Sequence, residues 1–152
     1  MAVTTALCTS FKTELLGGIH DLDSHTIKLA LIKPSPSGTY DKTTTNYSNV
    51  TGNSDETTGT NYSAGGQTLD NISISSDASS GRAFVDIDDE VFSNVTCQAS
   101  GCIIYNASAS NKAIAVINFN GTVSATAGDL TVQFPAIGSG GATAIIRLDP
   151  PS

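Results

Sequence analysis

Apolar side chains recur along this chain with two different periods. Between Thr4 and Gly18, Leu7, Cys8, Phe11, Leu15 and Leu16 return every three to four residues, the spacing of one helix face. Thr4 or Thr5 supplies a cap and Gly17-Gly18 a stop, so one short amphipathic helix is predicted within residues 4–18. Its apolar stripe has three possible seats: a sheet, the open end of a barrel, or a neighbouring subunit. A sheet is the expectation.

From Thr26 onward the period drops to two. Ile27, Leu29 and Leu31 alternate with Lys28, Ala30 and Ile32 in a first strand, which Pro34-Ser35-Pro36-Ser37-Gly38 ends by removing ladder donors. Further strands are expected over 68–75, 82–87, 91–97, 101–106, 113–119, 130–134 and 142–148. Turn signals separate them at Asp77–Gly81, Asp88-Asp89, Gln98–Gly101, Asn106–Asn111, Asn120-Gly121, Gly128-Asp129 and Gly138–Gly141. The run Ala113–Ile117 is apolar on both faces, as in a central strand. Seven or eight short strands with a single helix point to a mainly β fold, an antiparallel sandwich or a partly closed barrel, and not to a βαβ fold.

Between strand one and strand two lies a long excursion, residues 34–67, dominated by Thr, Asn, Ser and Gly. Tyr40, Tyr47, Val50 and Tyr62 punctuate it. Large side chains at such intervals predict an ordered, irregular lobe anchored to the β domain, and a candidate for contact with neighbours. The whole of 1–152 reads as one domain, since 152 residues suffice for one continuous core.

Composition refines this picture. Charged residues are only 14% and aromatics 6%, so the polar surface is built from Ser, Thr, Asn and Gly. Such side chains lose less rotamer freedom on being covered than Lys or Glu, which suits lasting contact. A net charge of −7, with Lys12, Lys28, Lys33, Lys42, Lys112, Arg82 and Arg147 scattered along the chain, argues against a nucleic-acid groove. No stretch approaches the length of apolar chain that spans a bilayer, so no membrane partner is expected. The first residues lack the basic start of a secretory signal. Seven N-x-S/T triplets, beginning at Asn46, Asn49, Asn61, Asn71, Asn94, Asn106 and Asn120, then follow from composition alone.

Little of the chemistry-bearing inventory forms a pattern. Cys97 and Cys102 bracket Gln98-Ala99-Ser100-Gly101, a spacing that suits a bridge across a hairpin, but reduced, partly buried thiols, Cys8 included, are the expectation. His20 and His25 precede the first strand; a capping or surface role is expected, with catalysis requiring Cys8 or a serine beside one of them. Asp86, Asp88, Asp89 and Glu90 suggest either a Ca²⁺ site or, preferably, a solvated turn whose carboxylates take backbone donors. The glycine runs lack the lysine of a phosphate loop. No catalytic residue, no cofactor and no metal ligand is expected.

The segments Thr5–Leu16, His20–Ala30, Gly59–Leu69, Ile103–Asn106, Lys112–Val116 and Ala127–Pro135 together resemble small uncharacterised virion-associated structural proteins of tailed bacteriophages. That group carries no catalytic residues to transfer. The resemblance implies a particle component made in the host cytoplasm. Its first expected role is a capsid decoration or cement protein on the capsid exterior, with the major capsid protein or other virion proteins as partners. A homo-oligomer, such as a trimer, is compatible. A tail, neck or fibre accessory protein is the alternative. A carbohydrate-binding sandwich that uses Tyr40, Tyr47, Tyr62 and Tyr105 as platforms is a second.

Overall fold

A computed structural model describes residues 2–151. In chain order the elements are β1 (Ala6–Leu7), α1 (Thr9–Leu16), β2 (Ile27–Ile32), α2 (Ser48–Gly52), β3 (Gln67–Thr68), β4 (Ser73–Asp77), β5 (Arg82–Asp86), β6 (Glu90–Asn106), β7 (Lys112–Val132) and β8 (Ile146–Leu148). One sheet has the order β1-β7-β6-β2-β3 and the other β4-β5-β8. The fold is therefore mainly β, two sheets of five and three strands in a sandwich-like arrangement with an N-terminal helix. Among the described residues no ladder joins the sheets, so the barrel alternative lacks a closing seam.

The strands of the large sheet are antiparallel throughout. β2 pairs residue for residue with the end of β6, from Ile27 opposite Asn106 to Ile32 opposite Gly101. It is buried on both faces except at Lys28, because the excursion and the neighbouring strands cover it. Val85, Ile87 and Ile146 from the small sheet join Phe92, Leu130 and Val132 from the large one in a single buried cluster. Of the run Ala113–Ile117 expected to be central, Ala113–Val116 is buried on both faces and lies between β1 and β6, while Ile117 is half-buried.

The helix is shorter than the periodicity implied. Residues 6–7 pair with Val116 and Ala115 as a strand, and Thr5 gives its hydroxyl to the Asn118 N–H as acceptor at 2.9 Å, not to a helix end. α1 starts after Cys8, whose backbone is extended and whose N–H donates to the Ile114 carbonyl at 2.9 Å. Tethering this turn to β7 overrides the local helical spacing of Leu7 and Cys8. The stop is where the glycines put it: Gly17 donates to the Thr13 carbonyl at 3.0 Å, and Gly18 takes φ +73°. Phe11 is buried, whereas Leu16 is 85% exposed.

The larger correction concerns strand length. Residues 91–97 and 101–106 are one strand, β6, and 113–119 and 130–134 fall within or just beyond one strand, β7. Gln98–Gly101 is not a turn. A Cβ on Gly101 would stand 2.5 Å from the Ile117 carbonyl oxygen and 2.8 Å from Val3 Cγ1, so the glycine is there for close approach. Asn120-Gly121 is a bulge. Ala99 faces Val123 and Gly101 faces Asn118, which leaves Ser100 alone opposite residues 119–122, with Asn120 at φ 57° and Gly121 at 152°. Bulges and turns both use residues that tolerate positive φ, so the two look alike in sequence.

Cys97 and Cys102 consequently sit on a single strand, opposite Ala125 and Ile117. Five residue steps of extended chain separate their Cα atoms by about 17 Å, well beyond disulfide reach. All three cysteines are free and buried.

Candidate functional site

The excursion carries the chain's densest polar network. Lys33, at the end of β2, and the Ser37-Gly38 corner converge on Asp55. Its carboxylate accepts from Ser37 N at 2.9 Å, Gly38 N at 2.8 Å and the Tyr40 hydroxyl at 2.6 Å, and pairs with Lys33 Nζ at 3.0 Å. Burial alone would raise this carboxyl, but the donors outweigh it and hold it well below the usual carboxylate range. Burial, with the Asp55 charge beside it, pushes the Tyr40 hydroxyl up to about 12.

Glu56 repeats the device on the other side of the segment. It accepts from Tyr62 Oη at 2.9 Å, Gly65 N at 2.7 Å and the Tyr47 hydroxyl. Tyr47 stacks on Tyr105 with centroids 4.4 Å apart, and Tyr105 donates to the Gly65 carbonyl at 2.7 Å. All four tyrosines are thus bonded inward. Tyr40 and Tyr105 are buried and the other two half-buried, so of the four only Tyr47 and Tyr62 keep part of their surface in water. Asp55 and Glu56 escaped the sequence reading. The available signal was that they are the only acids between Asp41 and Asp70, in a stretch with two of the tyrosines and one more just before it.

The two histidines meet under α1. His20 Nε2 lies 2.9 Å from Glu14 Oε2, and Lys112 Nζ lies 2.6 Å from Glu14 Oε1. Asn106 Nδ2 is 3.1 Å from His20 Nδ1 and 2.9 Å from His25 Nδ1, while Asn106 Oδ1 accepts from Ala109 N at 3.1 Å. One amide nitrogen with two protons makes both Nδ1 atoms acceptors, which places the His20 proton on Nε2, facing Glu14. Burial raises the Glu14 carboxyl, but Lys112 and His20 together bring it below its ordinary value.

This cluster has the ingredients of a general base without a nucleophile. Among the described residues no serine or cysteine side chain hydrogen-bonds either imidazole. Burial, with Asp41 and Glu14 nearby, pushes the Cys8 thiol up to about 12, away from thiolate character. His20 is buried rather than superficial. What the cluster does is tie α1, the 20–25 loop and the β6–β7 turn together.

Asp86, Asp88, Asp89 and Glu90 do not converge. Asp88 accepts from Asn71 Nδ2 at 2.7 Å and Asp89 from Phe134 N at 2.8 Å. Among the described residues no three acidic, histidine or cysteine side chains are grouped to hold a metal. Glu90 is buried, and burial together with Asp70 raises its carboxyl.

Two of the surface grooves differ sharply in chemistry. The larger, about 700 Å³, is polar and includes Lys33, Glu56, Thr96, Gln98 and Thr126 in its lining. The ion pair of Lys33 with Asp55 and the three donors on Glu56 leave it mainly hydroxyls to offer. The second, about 290 Å³, lies between the end of α1 and the small sheet, lined by Leu15, Leu22, Ile74, Phe84, Ile146 and Leu148 among others. Ile74 and Leu148 are 54% and 57% exposed, and Leu16 and Ile19, chain neighbours of the lining residues Leu15 and His20, are 85% and 42% exposed. Apolar side chains thus stand in water beside an apolar groove, a combination common at interaction surfaces.

Compared with protein families, with curated proteins and with solved structures, the chain matches none.

Proposed function

We propose that the chain is a non-enzymatic structural component of a phage virion, a decoration or cement protein on the capsid exterior that bridges major capsid protein subunits. The phage context comes from the sequence resemblance. The carrying observation is a contrast between two kinds of side chain. Glu14, Asp55 and Glu56 direct their oxygens at internal donors, while Ile74 and Leu148 stand exposed in the lining of the apolar groove and Leu16 stands exposed next along α1 to its lining residue Leu15. Polar groups spent on internal cross-links make a stiff body with little chemistry to offer, and the exposed apolar groups supply the adhesion.

This moves the expected contact. The large side chains of the 34–67 excursion turn inward, so the end of α1 and the small sheet form the clamp. A particle surface repeats one contact many times, so a modest groove suffices when many copies are held in register.

The test is occupancy on particles. Wild-type chain should co-purify with virions through a density gradient, and Leu16→Asp with Leu148→Asp should lower its copy number at least tenfold while leaving the protein folded. A chain absent from purified particles overturns the reading. Density at the tail or neck in place of the shell would replace decoration by the tail-accessory role.

A further inference from the structure

The outer edge of β7 is the longest unpaired strand edge in the fold. On one side β7 pairs with β6 along most of its length. On the other, β1 covers only Ala115 and Val116, and Thr5 takes the Asn118 N–H. Among the described residues no strand pairs with that edge from Phe119 to Val132.

Proteins usually blunt such an edge with Lys, Pro or inward charge, because its free N–H and C=O groups template another strand. Here the edge has neither Lys nor Pro between Phe119 and Val132, and its single charge, Asp129, is turned to β6, accepting from Asn94 N at 3.0 Å. The bulge at 119–122 and Ala127, at φ 47°, bound a regular run in which Val123, Ser124 and Ala125 face Ala99, Gln98 and Cys97 one to one.

Between those limits Ser124-Ala125-Thr126 reads almost the same in both directions, a hydroxyl on either side of an alanine. Antiparallel pairing about a two-fold axis at Ala125 sets Ser124 of one copy opposite Thr126 of the other on one face, and Ala125 opposite its own counterpart on the other face. Hydroxyl pairs and small apolar pairs are both favourable cross-strand neighbours. A groove of about 410 Å³, with Ile117, Phe119, Val123, Leu130 and Val132 in its lining, adjoins the same strand and adds apolar surface beside the seam.

The geometry points to a symmetric dimer in which the β7 edges of two copies of this chain join about Ala125, along residues 123–126, into one continuous sheet. This goes beyond the virion reading and does not depend on it. Each copy carries −7 while the seam is neutral, so repulsion is long-range and salt strengthens the association. The interface is isologous, leaving the apolar groove by α1 free on both copies.

Sedimentation equilibrium of the full chain tests it. Wild type should show a species of twice the 15.5 kDa chain mass, more abundant at high salt. Ser124 and Thr126 are exposed, so S124K/T126K preserves the fold, places like charges opposite each other and should weaken self-association at least tenfold. S124E/T126E should do the same, and an equimolar mixture of the two variants should restore the dimer. A wild-type monomer at concentrations up to about 1 mM, the weak end of specific association, overturns the proposal. So does a dimer indifferent to both variants, which would place the contact on another face.

Discussion

The Tyr40 hydroxyl donates to Asp55 Oδ2 at 2.6 Å across fifteen residues of chain, and both groups are buried. Neither residue lies in a strand or helix, so this bond gives the irregular lobe a fixed shape where no ladder does. Tyr40→Phe keeps the ring packed and removes only the donor. The buried carboxylate then loses one of its partners, at a cost of about 1–3 kcal/mol. Urea denaturation of the variant against wild type reads this as a lower midpoint with an unchanged slope.

Acid should expose the same site. The Asp55 carboxyl is held well below its ordinary 3.8 because the gain from Ser37, Tyr40, Gly38 and Lys33 exceeds its burial cost. The unfolded chain therefore takes up this proton first as pH falls. The stabilisation is complete above about pH 5 and drains away through 3.8 towards the lower folded value. Glu14 adds to the loss in the same direction. Thermal melts from pH 6 to pH 2 should show a falling midpoint in wild type and a flatter acid limb in Asp55→Asn, which starts from a lower value.

Strand content was legible because β-branched and aromatic residues alternate over short runs, as in Arg82–Ile87 and Leu130–Phe134. Strand continuity was not. Asn120-Gly121 carries the strongest local turn signal in the chain, yet β6 runs alongside it and converts it to a bulge. The partner strand decides between the two, and no local pattern contains the partner. The polar sites fare similarly. Asn106 collects two histidines more than 80 positions away in sequence, a relation visible only once β6 is aligned on β2. The tyrosines of the excursion were recognisable as anchors from their size, but the acids they anchor to were not, because Asp55-Glu56 has the look of a solvated turn until burial is known.

Glu90 should run opposite to Asp55. It is 8% exposed, and burial, followed by the charge of Asp70, raises its carboxyl above 4.5. The folded state holds this proton more tightly than the unfolded chain, so ionisation at neutral pH weakens the fold. Glu90→Gln removes the buried charge and keeps the length and shape of the side chain. The variant should melt higher than wild type at about pH 7, with the gap closing near pH 4 where both side chains are neutral. A lower melting point at pH 7 would mean that the carboxylate is better solvated by its neighbours than its burial implies.

Gly66 tests how the excursion is docked. It takes φ +67°, and a Cβ there would fall 1.8 Å from the Leu29 carbonyl oxygen and 2.7 Å from Ala30 Cα. Both obstacles are backbone of a buried central strand, which cannot yield as a flexible side chain would. The next residue, Gln67, pairs with Leu29, and the residue before, Gly65, gives its N–H to Glu56. One methyl group at Gly66 therefore pushes on the β2–β3 pairing and the tyrosine–carboxylate network together. Gly66→Ala should cost more than the roughly 1–3 kcal/mol of a strained backbone conformation alone, because steric displacement adds to it. By contrast Gly52→Ala, where a Cβ meets nothing within 4 Å at an ordinary φ, should be neutral or slightly stabilising in the same denaturation series. Equal effects at the two glycines would show that the lobe yields around residue 66, and that its shape depends on the Asp55 cross-link rather than on close seating against β2.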